Sequence, residues 1–347
     1  MTIKVSETNQ KRRTVITLAR VFSYGMVTFL VLYLINNYLV FWREWPGVSV
    51  FFTHQNWILF EPLDSPLTDE LINLGWIQLL AYCAVLVLIT SYVLKTKKDR
   101  SLRMDADRMS TLAAHIIQAA FWTTLLVGVC DLIISFLRVE GFLGYIISQE
   151  LLNELGRPEF RGTYVHYPLI VLSIVIAYFV RSLHFVWLAF MVVLAEFAIV
   201  ISRFVFSYEQ VFMGDIVRCW YAALFLFASS YTLLHEGHVR VDVLYTHFSE
   251  RKKAISNIIG SVFLGTPLCW VILTQGMTGK GSSLNAPLIK FEISQSGYGL
   301  YTKYLMAGFL AIFAITMMIQ FISMFLQNVA NLLGEQDLPE QSANSVS

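Results

Sequence analysis

Asp131, Glu196, Arg203, Asp215 and Arg218 are ionisable residues set inside, or at the ends of, long apolar runs. A carboxylate or guanidinium placed there gives up its hydration. It needs an opposite charge close by, or a role in moving an ion. Arg203 closes one run, and Asp215 and Arg218 open the next. If those two runs form an antiparallel hairpin turning near Tyr208, Arg203 faces Asp215, and Arg218 comes within about one helical turn of Glu196. The expectation is two structural ion pairs, preferred over an ion-coupling site. The sequence assigns no partner to Asp131.

A second polar cluster is His238, Arg240 and Asp242, alternating with Val239, Val241 and Val243 where an apolar run ends. It reads either as a structured turn at the membrane interface, with Arg240 near lipid phosphates, or as a subunit contact. His235 and His238 have a spacing that suits one helix face. No cysteine or carboxylate cluster completes a coordination sphere around them, so no metal is expected. A haem needs histidines paired at one depth, and His115, His166 and His184 do not provide such a pair. Ser296-Gly-Tyr-Gly299 has the look of a potassium-channel filter, but Thr-Val does not precede it and no short pore helix is expected before it. No cofactor and no catalytic residue is therefore expected.

These residues must be positioned by membrane helices. The chain of 347 residues is 56% hydrophobic and only 14% charged, with a net charge of +1. That composition belongs to integral membrane proteins and gives no reason to expect a nucleic-acid partner. A span needs about 20 apolar residues. By that measure the spans are 21–41, 72–94, 111–137, about 165–181, about 184–206, 211–234, 254–277 and 301–326. The fourth and fifth are split at Arg181-Ser-Leu-His184, where a tight hairpin is expected. A short surface helix is expected near Glu150–Leu155. All four cysteines lie in apolar runs and read as small buried residues. The fold class is an all-α integral membrane protein with about eight transmembrane helices. Most of the 25 lysines and arginines fall in residues 1–20, Lys95–Arg108, Arg181 and Arg240–Lys253. The positive-inside rule then puts both termini in the cytoplasm.

From about residue 185 the sequence resembles the small membrane subunit, DctQ type, of the TRAP (tripartite ATP-independent periplasmic) transporters. Ser202-Arg-Phe-Val-Phe206 ends a span as the family's R-Y-V-F does. Asp215-Ile-Val-Arg218 opens the next, where the family more often has Glu at the acid. Leu233-Leu-His-Glu-Gly-His-Val-Arg-Val-Asp242 is close to the family's L-R-E-G-x-H-I-R-V-D. Glu292-Ile-Ser-Gln-Ser-Gly-Tyr-Gly-Leu300 is similar to a Glu-x-Ser…Gly-Gly-Leu stretch of one branch. The resemblance implies a non-catalytic subunit of the bacterial inner membrane. It implies two protein partners, a large TRAP permease subunit and a periplasmic solute-binding protein, with uptake of organic acids or similar solutes driven by an ion gradient. It divides the chain into a tail at 1–20, a four-span region at 21–184 on which the family pattern is silent, a DctQ-like domain at 185–330 and a polar tail at 331–347. The reading from another class is a free-standing channel or carrier, which should show paired Gly- or Pro-broken spans in its two halves.

Overall fold

The computed structural model describes residues 2–57, 66–95, 100–180, 185–234, 245–294 and 299–335. The described residues are helical throughout, with no strand among them. Eight helices are long and apolar enough to cross a membrane. They are Thr2–Arg43, Asp69–Lys95, Leu102–Val139, Pro158–Phe179, Phe185–Phe206, Val211–Leu234, Glu250–Gly276 and Lys303–Leu332. The turn expected at Arg181–His184 lies outside the described residues, but separate long helices stand on either side of it. The short helix near 150 is Gln149–Leu155, with the Ser148 hydroxyl accepting from the Leu151 N–H as its N-cap.

Three sequence expectations need correction. The fourth long helix begins at Pro158, not near 165. Proline at a first helical position forgoes an N–H that would be unpaired there anyway. Gly47–His54 and Asn285–Lys290 are short helices within the connections 42–71 and 278–300, which read as loops from the sequence. The second of these precedes the Ser296–Gly299 stretch, most of which lies outside the described residues. Cys219 and Cys269 are buried, but Cys83 is exposed and Cys130 half-buried.

The chain falls into two compact units. The first comprises the described residues within Met1–Arg108, Val243–Val262 and Ile322–Gln336. Here the first and second long helices pack together, and the Gln78 amide donates to Asn36 Oδ1 at 2.9 Å and to the Tyr82 hydroxyl at 2.9 Å. The Gly47–His54 helix lies on the second long helix. Phe51 is buried there, edge-on to Trp76 at 5.2 Å. Its ring occupies the space where a side chain on Gly75 would begin.

The second unit comprises the described residues within Met109–Asp242 and Phe263–Phe321. Its core joins Phe121, Val127, Leu188, Cys219, Trp220, Ala223, Phe227 and Phe309 from several long helices. Phe227 and Phe309 meet edge to face at 5.1 Å. Two long helices carry a wide turn of the i→i+5 kind, at Gly162–His166 and Gly260–Gly265, each followed by a proline, Pro168 or Pro267. Proline withdraws a hydrogen-bond donor, and a wide turn is one way for a helix to absorb that loss. Both helices continue through the wide turn without an irregular gap.

Packing against Gly75 gives a direct test. Gly75→Leu must displace the Phe51 ring, and overpacking of this kind costs about 1–3 kcal/mol. The thermal unfolding midpoint of the purified chain should fall. Gly25→Ala, with nothing within 4 Å of the added carbon, should leave it nearly unchanged. A Gly75→Leu protein as stable as the parent would contradict this packing.

Candidate functional site

Asp131 is the centre of a buried polar node in the second unit. It sits on the third long helix with Ser135 and Arg138, four and seven residues on, along one face. Asp131 and Arg161 are both fully buried. Arg161 Nη1 donates to Asp131 Oδ1 at 2.8 Å and to Ser135 Oγ at 3.2 Å, while its Nε donates to the Leu155 carbonyl at 3.0 Å. The guanidinium lies 3.8 Å over the Tyr301 ring. Its Nη2 has no hydrogen-bond partner among the described residues, and the ring face shares the guanidinium's charge through a cation–π contact.

His166 completes the carboxylate's surroundings. Its Nε2 is 3.2 Å from Asp131 Oδ1 and its Nδ1 is 2.9 Å from the Tyr304 hydroxyl, with the two rings stacked. The imidazole thus bridges the Asp131 carboxylate and the Tyr304 hydroxyl. Five residues along an α-helix turn a side chain about 140° away from the first, at roughly 100° per residue. The wide turn at Gly162–His166 undoes this, because an i→i+5 turn sets residues five apart nearly over one another. Arg161 and His166 thus reach the same carboxylate.

The segment before the last helix is held by two carboxylates. The Tyr301 N–H donates to Asp131 Oδ2 at 2.6 Å, and the Leu300 N–H donates to Asp215 Oδ2 at 3.1 Å. A side chain at Gly299 would begin 2.5 Å from Asp215 Oδ2, so the close approach requires glycine. The Tyr301 hydroxyl donates to the Gly156 carbonyl at 2.8 Å and accepts from Arg138 Nη1 at 2.8 Å. Beside this segment is a polar cleft of about 250 Å³ lined by Asp215, Arg218, Ser294, Thr302 and Lys303. Lys303 is paired with Glu292 at 2.6 Å. Outside the long helices, Tyr208 donates to Glu140 Oε1 at 2.6 Å. Burial, and then the Glu140 carboxylate, push the Tyr208 phenol up to about 12, so it remains a donor at any physiological pH.

The expected ion pairs are drawn differently. Arg203 pairs with Glu209 at 3.2 Å, both well exposed, and does not reach Asp215. The backbone explains this. Ser207 takes a left-handed conformation, φ 51°, and the Ser202 hydroxyl donates to the Tyr208 carbonyl, so Glu209 turns back toward the helix end. Arg218 pairs weakly with Asp215 on its own helix at 3.4 Å, and not with Glu196. Glu196 is exposed at the middle of its helix with no ion-pair partner among the described residues. His238, Arg240 and Asp242 lie outside the described residues, as does His235. Among the described residues no three His, Cys, Asp or Glu side chains converge to hold a metal.

The sequence reading missed Arg161 and His166 as partners of Asp131. Two signals pointed to them. Gly156-Arg-Pro158 is a helix start that carries Arg161 into the span. A buried carboxylate also demands a cation at matching depth. The node makes no chemistry available, since every Asp131 oxygen is occupied and its charge is matched by Arg161. It orders elements.

Removing either member of the pair leaves an unpaired buried charge. Asp131→Ala and Arg161→Ala should each lower stability by about 3–5 kcal/mol. Tyr304→Phe removes one neutral hydrogen bond and should cost about 1 kcal/mol. Unfolding of detergent-purified variants checks the order. Asp131→Ala no worse than Tyr304→Phe would refute the central role of the pair.

Residues 190–331 match the family model of the tripartite ATP-independent periplasmic transporters, DctQ component. No curated protein and no solved structure matches the chain. The matched stretch runs from the fifth long helix into the last turns of the eighth. It contains Asp215, Leu300, Tyr301 and Tyr304, whereas Asp131, Arg161 and His166 precede it. This stretch is similar to the DctQ component of the tripartite ATP-independent periplasmic transporters, and four further membrane-length helices stand before it.

Proposed function

We propose that this chain is the small permease subunit of a TRAP-type secondary transporter, a non-catalytic scaffold in the bacterial inner membrane that braces the large permease subunit. The family match over residues 190–331 carries this reading. Transport is driven by an ion gradient, and the solutes are organic acids or similar small polar molecules delivered by a periplasmic solute-binding protein. Both termini are cytoplasmic, which places the Asp131 node toward the periplasmic face. The 21–184 region enlarges the scaffold beside a DctQ-like domain at 185–330. His238, Arg240 and Asp242 belong to the contact with the large subunit.

Glu196 supports a partner. A carboxylate in the middle of a membrane helix costs about 2.5–3.5 kcal/mol against lipid, and such residues face protein or water. The fifth long helix is among the least buried of the eight, and Glu196 lies on its exposed side. A second subunit covering this helix supplies the missing environment. A free-standing carrier is less well supported. The two wide turns fall in the fourth and seventh long helices, which are not equivalent positions in two four-helix halves, and neither helix is broken.

Three measurements test the proposal. Proteoliposomes holding the large permease and the binding protein should take up solute only when this chain is added. Uptake by this chain alone, or full uptake without it, refutes the scaffold role. Glu196→Leu should leave the isolated chain as stable as the parent and weaken its co-purification with the large subunit. Unchanged co-purification removes Glu196 from the interface. Single cysteines at Ser101 and Ser249, in a background without the native cysteines, should resist an impermeant thiol reagent in intact cells, and cysteines at Ser65 and Ser283 should react. Labelling at Ser101 would overturn the topology of the N-terminal half.

A further inference from the structure

In the first unit, one carboxylate faces several arginines. Asp105 is fully buried. It accepts from Arg20 Nε at 2.8 Å and from the Tyr24 hydroxyl at 3.0 Å, and it also pairs with the Arg100 guanidinium. Arg100 extends outward from this contact. Its Nη2 donates to the Tyr24 hydroxyl at 3.0 Å and its Nη1 to the Tyr92 hydroxyl at 3.3 Å, while its buried Nε has no hydrogen-bond partner among the described residues. The charge of Arg108 acts on the same Tyr92 hydroxyl. Tyr92 and Arg108 are both exposed.

Two guanidiniums thus share one carboxylate, an excess of one positive charge, and the charge of Arg108 adds to it at the Tyr92 hydroxyl. The nearest acids in the described chain are engaged elsewhere. Asp107 acts on Arg103, and Glu335 accepts from the Ser101 hydroxyl and the Leu102 N–H. The cluster sits where the second long helix ends at Lys95 and the third begins at Leu102. The third helix is 38 residues, about 57 Å at 1.5 Å per residue, so its first turns stand outside a hydrocarbon core of about 30 Å. Arg108 therefore lies at headgroup depth. Below Tyr92, on the same face of the second helix, Leu88 and Val85 are exposed one and two turns deeper. A cationic patch continuous with an apolar helix face fits an amphiphile better than a free ion.

We propose that Arg100, Arg108 and the Tyr92 hydroxyl form a binding site for the phosphate headgroup of an anionic phospholipid, whose chains lie along the Leu88–Val85 face. Guanidinium groups suit phosphate because they present parallel donors to its oxygens, and basic pockets between membrane helices on the cytoplasmic side recognise such headgroups.

The test uses the full chain purified in detergent, with thermal unfolding followed as phosphatidylglycerol, phosphatidylcholine or inorganic phosphate is titrated in. Phosphatidylglycerol should raise the midpoint in a saturable way, and the other two should not. Arg108→Gln keeps the Arg20–Asp105–Arg100 contacts and so should fold. It should weaken phosphatidylglycerol binding about fivefold, the factor equivalent to ~1 kcal/mol per interfacial arginine. Arg100→Gln should weaken it at least as much. An equal effect of phosphatidylcholine, an equal effect of inorganic phosphate alone, or undiminished binding by Arg108→Gln would each overturn the proposal.

Discussion

Burial of Asp131 is the constraint on which the second unit depends. A carboxylate with no access to water is tolerable only if its charge is matched and its lone pairs are filled. Arg161 supplies the charge. Arg161, His166 and the Tyr301 N–H supply the hydrogen bonds. Two donors come from the fourth long helix and one from the segment before the eighth, so meeting the needs of one carboxylate on the third fixes several elements at once. The wide turn at Gly162–His166 follows from the same demand, because without it Arg161 and His166 point to different sides of their helix. Arg161 in turn reaches the Leu155 carbonyl, and Tyr301 reaches Gly156, so the short helix before Pro158 is tied into the node.

The node also joins residues before the family-matched stretch to residues within it. Asp131, Arg161 and His166 precede the matched stretch, and Tyr301 and Tyr304 fall within it. The carboxylate that holds the Tyr301 N–H therefore comes from outside the matched stretch. Asp215 does the equivalent for Leu300 from inside it. Two carboxylates, one from each region, grip consecutive backbone N–H groups.

Much of the fold was legible in the sequence, because apolar runs of about 20 residues have few alternatives. The eight long helices follow from run length, and the short Gln149–Leu155 helix was expected from the Glu150–Leu155 stretch. Helix starts were less legible. Polar turns such as Leu102–Arg108 and Pro158–Arg161 extend helices beyond their apolar parts, and run length does not register them. The charged residues were recognised but their pairing was not. Depth along a helix predicts which residues could meet, whereas the pairs that form depend on rotation about the axis and on local turns. Ser207 illustrates this by returning Glu209 to Arg203. The Asp131 partners were hidden for a related reason, since Arg161 and His166 are five apart and share a face only through a wide turn.

Hydrogen exchange at the Tyr301 amide tests the central claim most directly. If Asp131 holds that N–H in a buried site, the 299–304 segment should exchange slowly in the parent chain and quickly in Asp131→Ala, while the middle of the sixth long helix, as an internal check on folding, keeps its protection. Equal protection of the 299–304 segment in both proteins would contradict the account.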